Sequence, residues 1–355
     1  MKQEKFDFVR LVGNERRVGT KLAEVSRHWQ GKSERFLMVS PHDDDAALGA
    51  GLLIQLAKRE RVPVHILIVT DGSQGYCSTK EKNTITEIRR KESFECYQSL
   101  GVPKNNIVWL GFPDCRINNY RGRSPAKPKS PLAISGFTGL QNTFTYWLRK
   151  IRPTQCFLPT HNDLHPDHRI IYEEFLISLF HAAGNIWPEL DKPLSKVPYI
   201  HTFAVYCDFP VPPTLRMSTP ISYLENKLKA IAAFRSQKQI SSLIENVRHC
   251  GPEEYIRAID FKLYHPANYR NQFEERSQSE YFNLLCTSQI PTQMLLFFSS
   301  SESGSFKEPE RKPCRSTVTN LKPSDFNFST ICERTGSVVT LSISCGLTSI
   351  RAIVS

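Results

Sequence analysis

The segment Val39-Ser40-Pro41-His42-Asp43-Asp44-Asp45 delivers one imidazole and three consecutive carboxylates at the end of an apolar run, Phe36-Leu37-Met38-Val39. Adjacent carboxylates repel one another and bind protons more tightly unless a cation sits among them. The same residue types gather again in Thr160-His161-Asn162-Asp163-Leu164-His165-Pro166-Asp167-His168. Pro166 suits the first position of a helix, which puts His165 and His168 about one turn apart and able to face a common point. Two His and one Asp around an open position form a common catalytic zinc set. Each cluster alone also reads as helix capping, with the aspartates before Ala46 and with His165 and Asp167 before the later helix. Together, after two strands of one sheet, they read as the two halves of a metal site.

The hydrophobic pattern supplies those strands. Phe36 to Val39, Val62 to Thr70, Asn106 to Leu110, Gln155 to Pro159 and Ile200 to Cys207 are short apolar or β-branched runs. Helical spacing lies between and after them, over Ala46–Lys58, Thr84–Leu100, Leu140–Ile151, His168–Ala183, Ile221–Phe234 and Ser242–His249. Thr84-Ile85-Thr86-Glu87 resembles a capping box, and Gly101 a helix stop. Such alternation predicts an α/β, Rossmann-like fold with a mainly parallel sheet flanked by helices. Open sheets of this kind hold their sites at the carboxyl ends of the strands.

Residues 1–34 read as a polar lead-in, 35–290 as the main α/β domain, and 291–355 as a linker and C-terminal extension of no assigned role. Residues 118–133, rich in Pro, Arg, Lys and Ser, read as an exposed loop. Within the extension, Ser299-Ser300-Ser301 and Lys307 to Lys312 resemble a linker, and Gly336 to Cys345 alternates like a strand.

A chain of 355 residues can bury a sizeable core. Its net charge of +11 suits an anionic partner, but Arg59-Glu60-Arg61, Arg89-Arg90-Lys91 and Arg121 to Lys129 are dispersed, which favours solvated charge over nucleic-acid binding. The ten cysteines contain no CxxC pair, unlike a zinc finger or a secreted disulfide framework. The first residues lack an apolar signal core and no run has transmembrane length, so a cytoplasmic protein is expected. Oligomeric state is not legible.

Pro41-His42-x-Asp44-Asp45 followed by His165-Pro166-Asp167-His168 resembles the PIG-L/LmbE-like family of zinc-dependent N-deacetylases, whose hallmarks are PHPDD(E) and HPDH. The resemblance spans residues 35–285. It includes Thr70-Asp71-Gly72, Arg89 and Glu92 leading into Leu100-Gly101-Val102, Gly111-Phe112-Pro113-Asp114, Ser236-Gln237 and Ser279-Glu280-Tyr281-Phe282. It implies an LmbE-like fold, with His42, Asp45 and His168 as metal ligands and Asp44 as the general base toward the attacking water. His165, as imidazolium, would steady the oxyanion and protonate the leaving amine, with Asp167 orienting or charging it. Arg89 and Asp114 would touch the substrate, although a solvated helix residue and a turn residue explain them almost as well.

The implied cofactor is Zn2+, with another divalent ion such as Fe2+ as a substitute. The implied partner is a small-molecule N-acetylated amino sugar or its conjugate, anionic conjugates included. Two departures stand out: Asp43 replaces the usual Pro, and Ala46 a frequent Glu. Competing readings are an amidase for a larger acyl or thiol conjugate, and a catalytically silent sugar- or nucleotide-binding α/β protein. The joint presence of His42, Asp44, Asp45, His165 and His168 speaks against the silent reading. A dinucleotide enzyme is set aside because the first turn is PHDDDA, not GxGxxG.

Overall fold

Apolar runs build a nine-stranded mixed sheet. In chain order its strands are β1 (Asp7–Val12), β2 (Glu15–Gly19), β3 (Phe36–Ser40), β4 (Val64–Thr70) and β5 (Ile107–Phe112), then β8 (Gln155–Pro159), β9 (Tyr199–Phe203), β10 (Leu215–Ser218) and β11 (Glu253–Ile259). A two-stranded ribbon, β6 (Ser124–Pro125) and β7 (Phe137–Thr138), lies apart from it. The helices are α1 (Leu22–Val25), α2 (Asp45–Arg59), α3 (Ile85–Ser99), α4 (Leu140–Ile151), α5 (Pro166–Ala183), α6 (Ile221–Ile231) and α7 (Ile240–Cys250). This computed structural model describes residues 5–13, 15–260, 266 and 269, and the backbone of 329–335, 338–345 and 348–354. The chain divides into two compact units, Met1–Tyr264 and His265–Ser355.

Strand order is β2-β1-β10-β11-β9-β8-β3-β4-β5. From β9 to β5 all neighbours are parallel, and from β2 to β9 all are antiparallel. Strand β3 is wholly buried because its alternate side chains feed two cores. Phe36 and Met38 pack with Ala46, Ala50 and Leu53 of α2, Tyr97 of α3 and Ile231 of α6. Leu37 and Val39 pack with Phe144 and Leu148 of α4 and Phe175 and Leu179 of α5. This two-residue alternation with helices on both faces is why β3 reads as an unbroken apolar run.

The chain leaves β3 for β4 and β5 on one side, then returns to place β8 and β9 on the other. The reversal opens a crevice at the carboxyl ends of β3 and β8, the usual ligand position in open α/β sheets. His42 follows β3 and His165 follows β8.

The α/β architecture matches the expectation, with three differences. Residues 1–34 are no detached lead-in: β1 and β2 pair with each other, and β1 pairs with β10. Their polar sequence reflects an edge position, since β2 is exposed nearly throughout and charged edges deter further pairing. The fifth expected strand stops at Phe203. No capping box forms at α3, where the Thr84 hydroxyl donates to Glu81 O instead.

The expected linker and the Ser279-Glu280-Tyr281-Phe282 motif lie outside the described residues. In the second unit, β12 (Ser329–Thr335), β13 (Val338–Cys345) and β14 (Thr348–Val354) form an antiparallel sheet, and β13 covers the alternating run. Among the described residues, no helix is long and apolar enough to cross a membrane.

Helix α2 carries an interruption that bears on the site. Ala50 has φ −141° and ψ 23°, outside helical geometry. Beyond the break, Leu52 N and Leu53 N donate to the two Glu254 oxygens at 2.7 and 2.9 Å. Before it, Leu48 O accepts from Lys227 Nζ at 2.6 Å, and Lys227 also pairs with Glu254 at 2.7 Å. A β-carbon on Gly49 would fall 2.3 Å from the Phe203 ring, so glycine is required there. The buried ion pair thus satisfies both broken ends of the helix that starts at Asp45. Lys227→Met should destabilise the protein by about 3–5 kcal/mol, because Glu254 is left charged and buried; denaturant unfolding measures it, and a loss below about 1 kcal/mol would contradict it.

Candidate metal centre and active site

The first half of the centre forms where β3 ends. Ser40 Oγ donates to His42 O and accepts from Ala46 N at 3.0 Å, so a serine serves the start of α2. Asp44 occupies the N-cap without a side-chain cap bond, which leaves the carboxylates for other work. Asp43, Asp44 and Asp45 are all buried. Asp45 Oδ2 accepts from His42 N at 2.7 Å, fixing the turn.

Helix α5 brings the second half. His42 Nδ1 lies 3.2 Å from both Asp45 Oδ2 and His168 Nε2, and those two atoms are 3.0 Å apart. Donor atoms around a tetrahedral ion with bonds of about 2.0–2.1 Å are separated by about 3.3 Å. The three atoms therefore fit one small cation. Asp45 Oδ1 and Asp44 Oδ1 are buried with no hydrogen-bond partner, consistent with a group that the chain alone does not provide.

A supporting shell holds this set. Asp163 Oδ2 sits 3.2 Å from His168 Nδ1, which turns Nε2 toward the centre. Such carboxylate–histidine pairs fix the ring and raise its basicity. Gln237 Nε2 donates to Asp44 Oδ2 at 2.9 Å. The turn holding Gln237 is itself tied to α3, where Glu92 accepts from Ser236 N at 2.9 Å and from Ser236 Oγ at 2.7 Å.

One turn earlier on α3, Arg89 pairs with Asp43, Nη2 to Oδ1 at 2.6 Å and Nε to Oδ2 at 3.1 Å. The departure at position 43 therefore has a partner. Arg89 also runs so close to Gly75 that a β-carbon there would lie 1.8 Å from Nη1.

His165, Asp167 and Asp114 gather on the other face of His42. His42 Nε2 is 3.4 Å from Asp114 Oδ1 and 3.7 Å from Asp167 Oδ2, and the four residues form a second group with metal-ligating side chains. Asp167 N donates to His165 Nδ1 at 3.2 Å, so the contact orienting this ring comes from the Asp167 backbone. The Asp167 carboxylate accepts from Cys115 N at 2.9 Å, and Asp114 Oδ2 from Gln74 N at 3.2 Å. The helix-capping role foreseen for His165 is thus present, in a residue that also lies beside His42.

The electrostatics follow from this packing. Burial opposes protonation of His42, but Asp45, Asp114 and Asp167 outweigh it and its proton affinity lies well above the ordinary imidazole value. Burial likewise works against His168, yet Asp45 and Asp163 carry its pKa up to about 9. Burial alone would raise Asp45, but the two imidazoles hold it well below the usual carboxylate range. His165 is lowered, by burial first and then by the charge of His42, which argues for a neutral ring rather than the expected imidazolium. For Arg89, burial is more than offset by Asp43 and Asp44, and the guanidinium stays charged.

Every expected site residue thus lies around the crevice. Sequence reasoning missed Asp163, whose only signal was its place within the HNDLHPDH run, and Tyr206, whose ring stacks 5.5 Å from His168. It noted Ser236-Gln237 without a role.

Comparison with known proteins agrees with this geometry. The family model PIG-L, described as GlcNAc-PI de-N-acetylase, matches residues 37–178. The chain is 25% identical over 213 residues to the probable N-acetyl-alpha-D-glucosaminyl L-malate deacetylase 2 of Bacillus cereus, covering 57% of this chain and 83% of the relative. Among solved structures it is similar to the N,N'-diacetylchitobiose deacetylase of Pyrococcus horikoshii, with 24% identity, a TM-score of 0.52, and 66% of this chain and 87% of that one covered. A conserved protein of Thermus thermophilus matches with 24% identity and a TM-score of 0.50, covering 65% of this chain and 97% of that one. The two structural matches establish a shared fold. Over residues 37–178 the chain thus matches the PIG-L family model, and the relative it resembles across 57% of its length is a deacetylase of the same substrate type.

Two expectations follow from the centre. Ligating imidazoles must be neutral, so a cation has to displace protons held at pH 7 by His42 and His168. Apparent metal affinity should therefore rise with pH through the value of about 9 for His168. Calorimetry in buffers of different ionisation enthalpy should show proton release on binding, and its absence would refute the ligand set. Asp163→Asn should weaken metal binding by about 10–100-fold in the same titration.

Proposed function

We propose that this protein is a metal-dependent hydrolase of the PIG-L/LmbE-like family that removes the acetyl group from the amine of an N-acetylated amino sugar or its conjugate. The observation that carries the reading is the convergence of His42 Nδ1, Asp45 Oδ2 and His168 Nε2 within 3.0–3.2 Å, next in the chain to Asp44 with its buried, unpartnered Oδ1. A His2Asp set suits zinc, with Fe2+ as the alternative. The chemistry such an ion supplies is polarisation of the amide carbonyl and a lower pKa for water.

The chain's own residues do the rest. Asp44 is the general base: Gln237 holds Oδ2, and Oδ1 is left to accept the proton of the attacking water. His165 receives the Asp167 N–H on Nδ1, so its neutral ring carries the proton on Nε2. That N–H donates to the developing oxyanion, whose stabilisation usually contributes more to amide hydrolysis than any other single effect, and its proton can pass to the departing nitrogen. Asp167 holds the Cys115 backbone beside His42. Asp114 lines the crevice as a hydrogen-bond acceptor for sugar hydroxyls. Arg89 faces the same region with its charge already matched by Asp43.

The glucosaminyl substrate named for the Bacillus cereus relative and the GlcNAc-PI substrate named for the family support an N-acetylglucosamine conjugate. We place the reaction in the cytoplasm, since Cys77, Cys96, Cys115, Cys156, Cys207 and Cys250 are all unpaired, as in a reducing compartment.

Purified protein should release free amine from N-acetylglucosamine conjugates in the presence of zinc and stop when a chelator is added. Asp44→Asn should keep the metal and lose about 10²–10⁴-fold in turnover. Turnover that survives this substitution would remove Asp44 as the base, and turnover by fully metal-free protein would refute the reading as a whole.

A further inference from the structure

A small, partly open cleft lies where β8 and β9 begin, at the opposite ends of the parallel strands from the metal centre. Arg10 of β1 reaches into it and is only 3% exposed. Its Nη1 donates to Val25 O at 3.1 Å, whereas its Nε is buried with no partner. No carboxylate among the described residues forms an ion pair with Arg10. One carbonyl is a thin complement for a guanidinium with five N–H donors, and a buried cation without a counter-charge is costly.

The rest of the lining has the same character. His201, 6% exposed, also has an unpartnered ring nitrogen, Nε2, and its ring stacks on Phe157 at 4.8 Å. Arg27 stands at the rim, about half exposed and 3.8 Å from Asp260. His28 lies flat on Tyr199, the ring centres 3.8 Å apart. Gln155 Nε2 is taken up by Glu34 at 3.1 Å. Asp260 thus stands against Arg27, and among the described residues no carboxylate pairs with Arg10. Burial, then Arg27 and Arg17, lower the Arg10 pKa to about 10, so the fold holds this charge at a disadvantage.

We propose that the cleft is an oxyanion site, in which the Arg10 guanidinium, with Arg27 at the rim and His201 Nε2 behind, takes the phosphate or carboxylate group of a small metabolite. A planar guanidinium with free donors matches such groups in a two-point contact. The site lies apart from the amide-cleaving centre and does not depend on that reading.

The test is calorimetric titration of the full-length, metal-loaded protein with inorganic phosphate, glucose 6-phosphate or succinate, at fixed ionic strength against a chloride control. Saturable binding of one oxyanion per chain is expected, with a rise in Tm. Arg27→Gln, at an exposed position, should fold normally and weaken binding by about tenfold, the worth of a charge-assisted hydrogen bond. Arg10→Gln should abolish it. His42→Ala, which dismantles the metal centre, should leave oxyanion binding unchanged, which separates this site from phosphate caught by the metal. The proposal is overturned if wild-type protein binds no oxyanion beyond the chloride control. It is equally overturned if Arg27→Gln binds as the wild type does, or if His42→Ala abolishes binding.

Discussion

Six buried aspartates, Asp43, Asp44, Asp45, Asp114, Asp163 and Asp167, crowd the crevice between β3 and β8, and their mutual repulsion is the constraint that the surrounding structure answers. Carboxylates so placed ionise only if each meets a cation, an N–H donor or a metal. Each has such an answer. Arg89 faces Asp43, Gln237 faces Asp44, and His42 and His168 face Asp45. Asp163 is matched by His168, Asp167 by the Cys115 amide, and Asp114 by the Gln74 amide. What stays unanswered is one oxygen on Asp44 and one on Asp45. For these two oxygens the chain itself provides no hydrogen-bond partner.

Helix α3 does much of this from outside the crevice. Arg89 and Glu92, one turn apart, act in opposite senses. Arg89 neutralises the turn after β3, and Glu92 grips Ser236 so that Gln237 reaches Asp44. Asp44 is thus oriented through two successive contacts that begin on a neighbouring helix. Similarly, the Lys227–Glu254 pair lets α2 break after its first turn. The helix start carrying Asp45 is thereby anchored to β11 and α6, in the antiparallel half of the fold.

The parallel half was legible because its strands are buried on both faces. Continuous runs such as VHILIVT in β4 leave little ambiguity, and the two His/Asp clusters sit directly after such runs. The antiparallel half was not. Edge strand β2 is ERRVG, and β11 is EEYIRAI, sequences whose strand character comes from their neighbours rather than from periodicity. At the site, the residue types that converge, His42, Asp45 and His168, could be read from the two motifs. Long-range partners could not: nothing in one dimension shows that Asp43 meets Arg89 or that Gln237 meets Asp44. The lowered proton affinity of His165 was not legible either, because neither its burial nor the neighbouring His42 is visible in the sequence.

The replacement of Pro by Asp at position 43 gains its meaning from this charge balance. A proline there would fix the turn sterically, through its restricted φ, and would leave the Arg89 guanidinium beside Asp44 without a carboxylate of its own. Asp43 fixes the turn electrostatically instead, through a fork-to-fork contact that is almost wholly buried. The two solutions differ in what they leave for a ligand. With a proline, the arginine keeps a free charge for an anion in the crevice; with Asp43, that charge is consumed within the protein.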